Sequence, residues 1–547
     1  MQLGRRHLAG VGILTSIVVV AALTSGGTSA AAGSTPGTRP VLGPPVGRAR
    51  PAAAVPEPST AGASPWVRLK HAPPFDPGTM LLASNGTVLV HSEPASGGTS
   101  AWYKLTPDSK GSYVDGTWSR IASMPSSYDP LYFASAILPD GQMIVEGGEY
   151  LGGTPAWTDK GAIYDPVTNR WRSVAPPGGW TNIGDAQSDV LANGTFMLSQ
   201  ACQNCTGSDP TLSTDDALFN QSGLNWTVIP GPGKNDPNDE EGWTLEPSGQ
   251  LLTVDAWLTP TTELFTPSSL SWASAGNTVQ SPVNSPQVEI GPQVEMPGGD
   301  TLVVGAGTGA AAPDACTTHT RAVTALYDAA DGQWLDGPTI PTIGGLQYDS
   351  ADGPGSVLPD GNVLFDVSPC AYNAPIAFML YHAATRTLSA VPNVPNAAND
   401  STYYTRLLAL PNGQVLFVDG SHQMEAYTAG GTPDPAWAPV ITSLSSVSLA
   451  RGGTASLAGA QLAGLDQGAA YGDDVQDNTN FPLVRITNSR TGVVTYAPTR
   501  AWSSVSVAPG APSSTDFTVP AATPTGPSNL VVVANGIASQ PVPVTIR

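Results

Sequence analysis

Short apolar runs broken by Asn-Gly or Asp-Gly recur along the chain and set its secondary structure. "LASNGTVLV" (82–90), "ILPDGQMIV" (137–145), "VLANGTFML" (190–198), "LEPSGQLLTV" (245–254), "EMPGGDTLVV" (295–304), "VLPDGNVLF" (357–365) and "ALPNGQVLF" (409–417) share one pattern. Such dipeptides between apolar runs predict β-hairpins, with both turn residues at positive φ. The turn glycines stand at 86, 141, 194, 249, 299, 361 and 413, so neighbouring hairpins lie 50–62 residues apart. A third apolar strand and an outer strand marked by tryptophan follow, as in "AIYDPVTNRW" (162–171), "ELFTPSSLSW" (263–272) and "ALYDAADGQW" (325–334). Four strands repeating at this period predict an all-β, seven-bladed Kelch-type propeller over residues 65–438. The last copy lacks an outer strand, and "SPWVRLKHAPP" (64–74) reads as the missing one, so the segment around Trp66 is expected to close blade seven. Residues 439–547 lose the period and read as one immunoglobulin-like β-sandwich.

The N-terminus changes the picture of where the protein works. Arg5, Arg6 and His7 precede an uncharged run from Leu8 to Leu23 and small residues near Ala30, the form of an export signal over residues 1–30. Residues 31–64 are rich in Ala, Pro and Gly and read as a linker. A secreted protein is expected, tethered to the membrane if the signal stays uncleaved, with no span beyond that segment. The net charge of −21 would repel a phosphate backbone, so nucleic acid is excluded as a partner; a monomer is expected. Oxidised cysteines fit an exported chain. Cys202 and Cys205 form a C-x-x-C with no second pair at zinc-finger spacing, which favours a short-loop disulfide. Cys316 and Cys370 fall in second-to-third loops of blades five and six and are expected to bridge them.

Each hairpin is preceded, nine to thirteen residues before its glycine, by an acid: Asp76, Asp129, Asp185, Asp239, Glu289, Asp352 and Asp400. The start of each innermost strand and each second-to-third loop belong to one mouth of the channel, so these acids are expected to ring it. There they could bind a cation, calcium being the one such oxygen donors suit, or serve a sugar as acid and base. Loops also favour Asp for its turn chemistry alone. "NDEEGW" (238–243) brings Asp239, Glu240, Glu241 and Trp243 to the head of blade four.

Three segments resemble galactose oxidase and glyoxal oxidase, secreted copper radical enzymes with a seven-bladed Kelch propeller and a C-terminal sandwich. They are "FDPG" (75–78), "LYFASAILPDGQMIVEGGEYLGG" (131–153) and "TYYTRLLALPNGQVLF" (402–417), and the likeness spans residues 65–547. The resemblance puts Tyr132 at the position of the cross-linked tyrosine, with Asp76 in place of its cysteine. It puts Tyr403 at the axial tyrosine, Tyr404 in place of a histidine ligand, and Tyr150 in place of a stacking tryptophan. The second histidine ligand belongs to the C-terminal region, which has none after His422; "YGDD" (471–474) is expected near its place. Phenols and carboxylates in place of imidazoles disfavour copper, and no cofactor is expected. A face of tyrosines and acids suits sugar rings, because their C–H faces stack and their hydroxyls donate. The leading expectation is a non-redox protein binding an extracellular glycan or cell-surface ligand through Asp76, Tyr132, Tyr150, Asp185, Asp239, Glu241, Trp243, Asp352, Tyr403 and Tyr404. Glycan cleavage by a lyase or hydrolase, and copper radical oxidation, are the alternatives.

Overall fold

The computed structural model describes residues 64–205, 211–284, 287–309, 316–471 and 478–547; the expected export signal and most of the expected linker lie outside them. The protein is all-β and propeller-like. Seven antiparallel units of four strands follow one another, and their first strands are Pro77–Leu82, Ala134–Ile137, Ser188–Val190, Thr244–Leu245, Gln293–Glu295, Pro354–Val357 and Arg406–Ala409. Each first strand touches the next, and Arg406–Ala409 touches Pro77–Leu82, so the seven form a closed cycle. The outermost strand of the last unit is Trp66–Arg68, paired antiparallel with Met424–Thr428 through Trp66↔Tyr427. Two distant parts of the chain thus share one sheet, which leaves no open edge at the seam.

Outer-strand tryptophans fasten one unit to the next. Trp171 Nε1 donates to the Ala122 carbonyl at 2.8 Å, Trp226 to Ala175 at 2.9 Å and Trp334 to Thr262 Oγ1 at 2.9 Å. Trp272 donates to Asp216 Oδ2 at 2.7 Å, and Trp66 donates to the Pro392 carbonyl at 2.6 Å, which gives the closing strand the same role. Each ring covers apolar surface while its N–H finds an acceptor, as a half-buried indole requires.

The hairpins differ from expectation in one respect. Only the glycine of each turn has positive φ, for example +72° at Gly86 and +84° at Gly413. Gly86 N–H donates to the Ala83 carbonyl and Ala83 N–H to the Thr87 carbonyl, a type I turn followed by a left-handed glycine. The preceding Asn85 stays right-handed because its Oδ1 accepts from Thr87 N–H at 3.1 Å; Asp140 does the same for Gln142 at 2.9 Å.

From Val440 onward two further sheets pack face to face, one of strands Val440–Leu444, Thr454–Ala460, Pro512–Thr518 and Thr499–Arg500, the other centred on Gly526–Ala534. Leu457, Ile486, Phe517, Leu530 and Val532 fill the space between them. This pair sits on the turn side of the ring. Val505 N–H donates to the Ala192 carbonyl at 3.0 Å, and Trp502 and Thr499 N–H reach the Pro139 and Ser84 carbonyls at 3.4 Å.

One segment of this C-terminal part, Asp466–Tyr471, enters the centre of the ring. Gln467 bridges two innermost strands: its Nε2 donates to Asp189 Oδ1 at 2.8 Å, and its Oε1 accepts from Leu245 N–H at 2.7 Å. Ala469–Tyr471 then pairs antiparallel with Pro354–Ser356. Gly468 makes the passage; its φ is +87°, and a Cβ there would stand 2.1 Å from Thr479 Oγ1. Among the described residues no helix is long and apolar enough to cross a membrane.

Candidate functional site

The mouth is built from the leads into the first strands and the loops after the second strands. Tyr132 follows the short strand Pro130–Leu131, and Tyr150 lies on Tyr150–Leu151, paired to it through Leu131↔Tyr150. Their rings meet edge to face with centroids 6.0 Å apart. Tyr403 lies in the 3₁₀ turn Thr402–Tyr404 and packs edge to face on Tyr404 at 4.9 Å and on Tyr372 at 5.6 Å. Tyr404 Oη donates to the Asn399 carbonyl at 2.9 Å.

Arg406 ties these parts together. It is 1% exposed, and its guanidinium lies 3.6 Å from the centre of the Tyr471 ring and 6.0 Å from that of Tyr132. Its Nη1 donates to the carbonyls of Thr405 at 2.8 Å and Tyr403 at 3.2 Å. Tyr471 Oη donates to the same Tyr403 carbonyl. The C-terminal part therefore reaches the mouth through Tyr471; the rest of "YGDD", residues 472–474, lies outside the described residues.

The sequence carried a signal for Arg406. Seven residues before each turn glycine stand Thr79, Ala134, Gln187, Gly242, Pro292 and Pro354 in the other six units, so Arg406 is the charged one at that register. Attention to the adjacent tyrosines hid it.

Acids surround the phenols. Burial raises the Tyr132 and Tyr150 hydroxyls above the ordinary tyrosine value. Tyr403 adds to this at Tyr132, and Glu149 and Asp185 add to it at Tyr150. Tyr132 Oη is buried and has no hydrogen-bond partner among the described residues. Glu240, Glu289 and Asp352, from the leads of units four, five and six, each bring an oxygen within 4.8 Å of the others. Tyr372 Oη donates to Glu289 Oε1. Tyr132, Glu240, Asp352 and Tyr372 have φ of +52°, +60°, +48° and +25°. Each such left-handed non-glycine residue costs on the order of 1–3 kcal/mol, and residues of this kind gather at ligand sites.

The other expected site residues differ in their surroundings. Glu241 is fully buried, and its Oε1 is 2.8 Å from Lys234 Nζ. Trp243 is 2% exposed and packs on Trp272 at 5.5 Å within the core of unit four. Both follow Glu240, which holds a left-handed conformation with φ of +60°. Asp76 forms an exposed pair with His422, Oδ1 to Nε2 2.8 Å. Asp185 and Asp239 are buried at the mouth. Asp400 accepts from Asn396 Nδ2 at 2.8 Å, and burial and the nearby Asp419 push its carboxyl up to about 10. Cys202–Cys205 and Cys316–Cys370 are both disulfides, the second joining units five and six as expected.

No protein-family model matches the chain, and no curated protein matches it in sequence. It is similar to solved structures at low identity. One is a fungal alcohol oxidase of the AA5 family in complex with copper: 14% identity, TM-score 0.46, covering 88% of this chain and 98% of that one. Another is YjhT, at 17% identity and TM-score 0.39, covering 59% and 99%. A third is the extracellular domain of a one-component system from B. thetaiotaomicron, at 10% identity and TM-score 0.41, covering 86% and 56%.

Proposed function

We propose that the protein is an exported seven-bladed Kelch-type propeller with a C-terminal immunoglobulin-like sandwich, and that its mouth binds an extracellular glycan without radical chemistry. The seven four-stranded units in a closed cycle support the first part, and the two face-to-face sheets after Val440 support the second. Two disulfides and the export signal support a location outside the cell. The single observation that carries the binding reading is the phenol group Tyr132, Tyr150, Tyr403 and Tyr404 set among Glu149, Asp185 and Arg406. Tyrosine faces suit the C–H face of a pyranose, the carboxylates suit its hydroxyls, and the unpartnered Tyr132 Oη is a donor awaiting an acceptor.

The donor set does not fit Cu(II). A guanidinium, itself a cation, occupies the space between Tyr132 and Tyr471. His91 is engaged with Glu93 and the Thr99 carbonyl, and His422 with Asp76. Soft and borderline metals want imidazole or thiolate, and neither is offered at the phenols.

A glycan array probed with wild type, Tyr132→Phe and Tyr404→Ala tests the reading. Wild type should bind a defined set of glycans, and each variant should bind about tenfold more weakly, the scale of one lost stacking or hydrogen-bonding contact. Identical profiles for all three would remove the mouth from the function.

A further inference from the structure

Carboxyl groups from three separate parts of the chain meet where Asp466–Tyr471 enters the ring. We propose that Glu246, Glu295 and Asp466 form a pH-sensitive latch, which holds this segment in the ring in acid and loosens it as pH rises. The latch stands independently of glycan binding. Glu246 belongs to the hairpin of unit four, where its carbonyl accepts from Gly249 N–H at 2.8 Å. Glu295 ends the first strand of unit five, opposite Thr301. Asp466 comes from the C-terminal part and directly precedes Gln467, which bridges Asp189 and the Leu245 N–H.

All three side chains are at most 2% exposed. Thr301 Oγ1 donates to Glu246 Oε1 at 2.6 Å, and Asp466 Oδ1 accepts from Gly468 N–H at 2.9 Å and Asn535 Nδ2 at 2.8 Å. Glu246 Oε2 and Glu295 Oε2 are buried with no hydrogen-bond partner among the described residues. None of the three carboxyls forms an ion pair among the described residues. An ionised carboxylate kept from water with neither donor nor countercharge is costly, so the closed arrangement favours neutral carboxyl groups.

The surroundings add negative charge. After burial, Glu246 and then Asp466 raise the Glu295 carboxyl well above its ordinary value. Asp300 acts on Glu246 and is itself paired at 3.2 Å with the exposed Arg386. The other titratable groups at the junction are Tyr327, which feels the charge of Glu246, and Asp189 across Gln467. Burial pushes Asp466 up to about 7 and Glu246 up to about 8. Once the segment leaves the ring these groups meet water and regain the ordinary carboxyl range, so the open form ionises first as pH rises. The closed form therefore loses stability from about pH 4 until its own raised values are passed, and loses none below that range. Opening also reaches the mouth, because the segment carries the Tyr471 ring under Arg406 and the Tyr471 hydroxyl on the Tyr403 carbonyl.

Hydrogen exchange of the whole secreted chain, read by mass spectrometry over Asp466–Tyr471 and corrected for the intrinsic pH dependence of exchange, tests the latch. From about pH 5 to about pH 8 wild type should lose protection there by about tenfold or more, the scale of one unit of difference in pKa. At about pH 8 the segment should also exchange faster than the sandwich strand Leu483–Asn488, because it opens without the sandwich unfolding. The double variant Glu246→Gln/Glu295→Gln keeps both shapes and removes both charges, so its loss over the same range should shrink to about threefold or less. Constant protection of the segment in wild type would overturn the proposal, and so would exchange no faster than in Leu483–Asn488 at the higher pH. The wild-type profile decides both points even if the double variant fails to fold. A folded double variant that loses as much protection as wild type would show that these two acids are not the latch.

Discussion

Glu240 and Glu241 are neighbours in the chain and end in opposite surroundings. Glu241 points into unit four, where Lys234 Nζ lies 2.8 Å from it and 3.1 Å from Glu263 Oε2, all three side chains at most 1% exposed. Glu240 points to the mouth, among other carboxylates. In the first surroundings one cation of the chain itself, Lys234, stands among four acids and pairs directly with two of them. In the second, Glu240, Glu289 and Asp352 each bring an oxygen within 4.8 Å of the others. Two adjacent acids thus meet different surroundings, and the first of them holds a left-handed conformation.

The contrast breaks most sharply at Lys234. Burial pulls its amine down, but Glu241, Asp255, Glu263 and Asp236 outweigh that and hold it above the ordinary lysine value. Lys234→Met removes the cation and leaves Glu241 and Glu263 buried with no countercharge. The expected loss is about 3–5 kcal/mol of folding stability, read by urea unfolding. A loss under about 1 kcal/mol would mean that the acids there are already protonated and need no lysine.

A milder version of the same question concerns Asp189, which is buried against amides and no cation. Its Oδ1 accepts from Gln467 Nε2 and Asn478 Nδ2, each at 2.8 Å, and from Val190 N–H. Burial exceeds what these donors offset and pushes its pKa up to about 7 from 3.8. Below about pH 4 the group is protonated in both folded and unfolded chains. Between there and about 7 the unfolded chain ionises first, so stability falls as pH rises; above 7 the loss is complete. Wild type should therefore unfold more easily at pH 8 than at pH 5. Asp189→Asn should flatten that decline by about 1–2 kcal/mol, a fraction of the full linkage of 1.4 kcal/mol per unit. Equal slopes in the two proteins would show that Asp189 is ionised throughout.

The scaffold was legible in the residues because it repeats. Seven turn glycines, the outer tryptophans and the orphan strand at Trp66 each report a local rule, and local rules survive without knowledge of neighbours. The mouth was legible only in its ingredients. Asp185 and Asp352 could be named from their distance to a turn, and Tyr132, Tyr150 and Tyr403 through the resemblance. Glu241 and Trp243 were read from the stretch "NDEEGW", and in the fold both are buried within unit four. Nor does any local rule bring Tyr471 to Arg406, since their meeting depends on Asp466–Tyr471 threading the ring. Tyr372 escaped notice for the same reason: it reaches Glu289 through three successive positive-φ residues, Cys370, Ala371 and Tyr372, held beside a disulfide.

The finest distinction lies between the two roles of Tyr471, as a ring beneath a cation and as a hydrogen-bond donor. Its face carries the Arg406 guanidinium at 3.6 Å, and its hydroxyl serves the Tyr403 carbonyl. Tyr471→Phe keeps the first and removes the second, leaving that carbonyl the Arg406 Nη1 as donor. The expected cost is about 1 kcal/mol, the net value of one hydrogen bond whose acceptor retains another partner. Tyr471→Leu removes both and should cost about 2 kcal/mol more, because a desolvated guanidinium loses its aromatic face. If the phenylalanine and leucine variants unfold at the same urea concentration, the ring contributes nothing. The central segment would then hold the mouth through Gln467 and the strand pairing with Pro354–Ser356 alone.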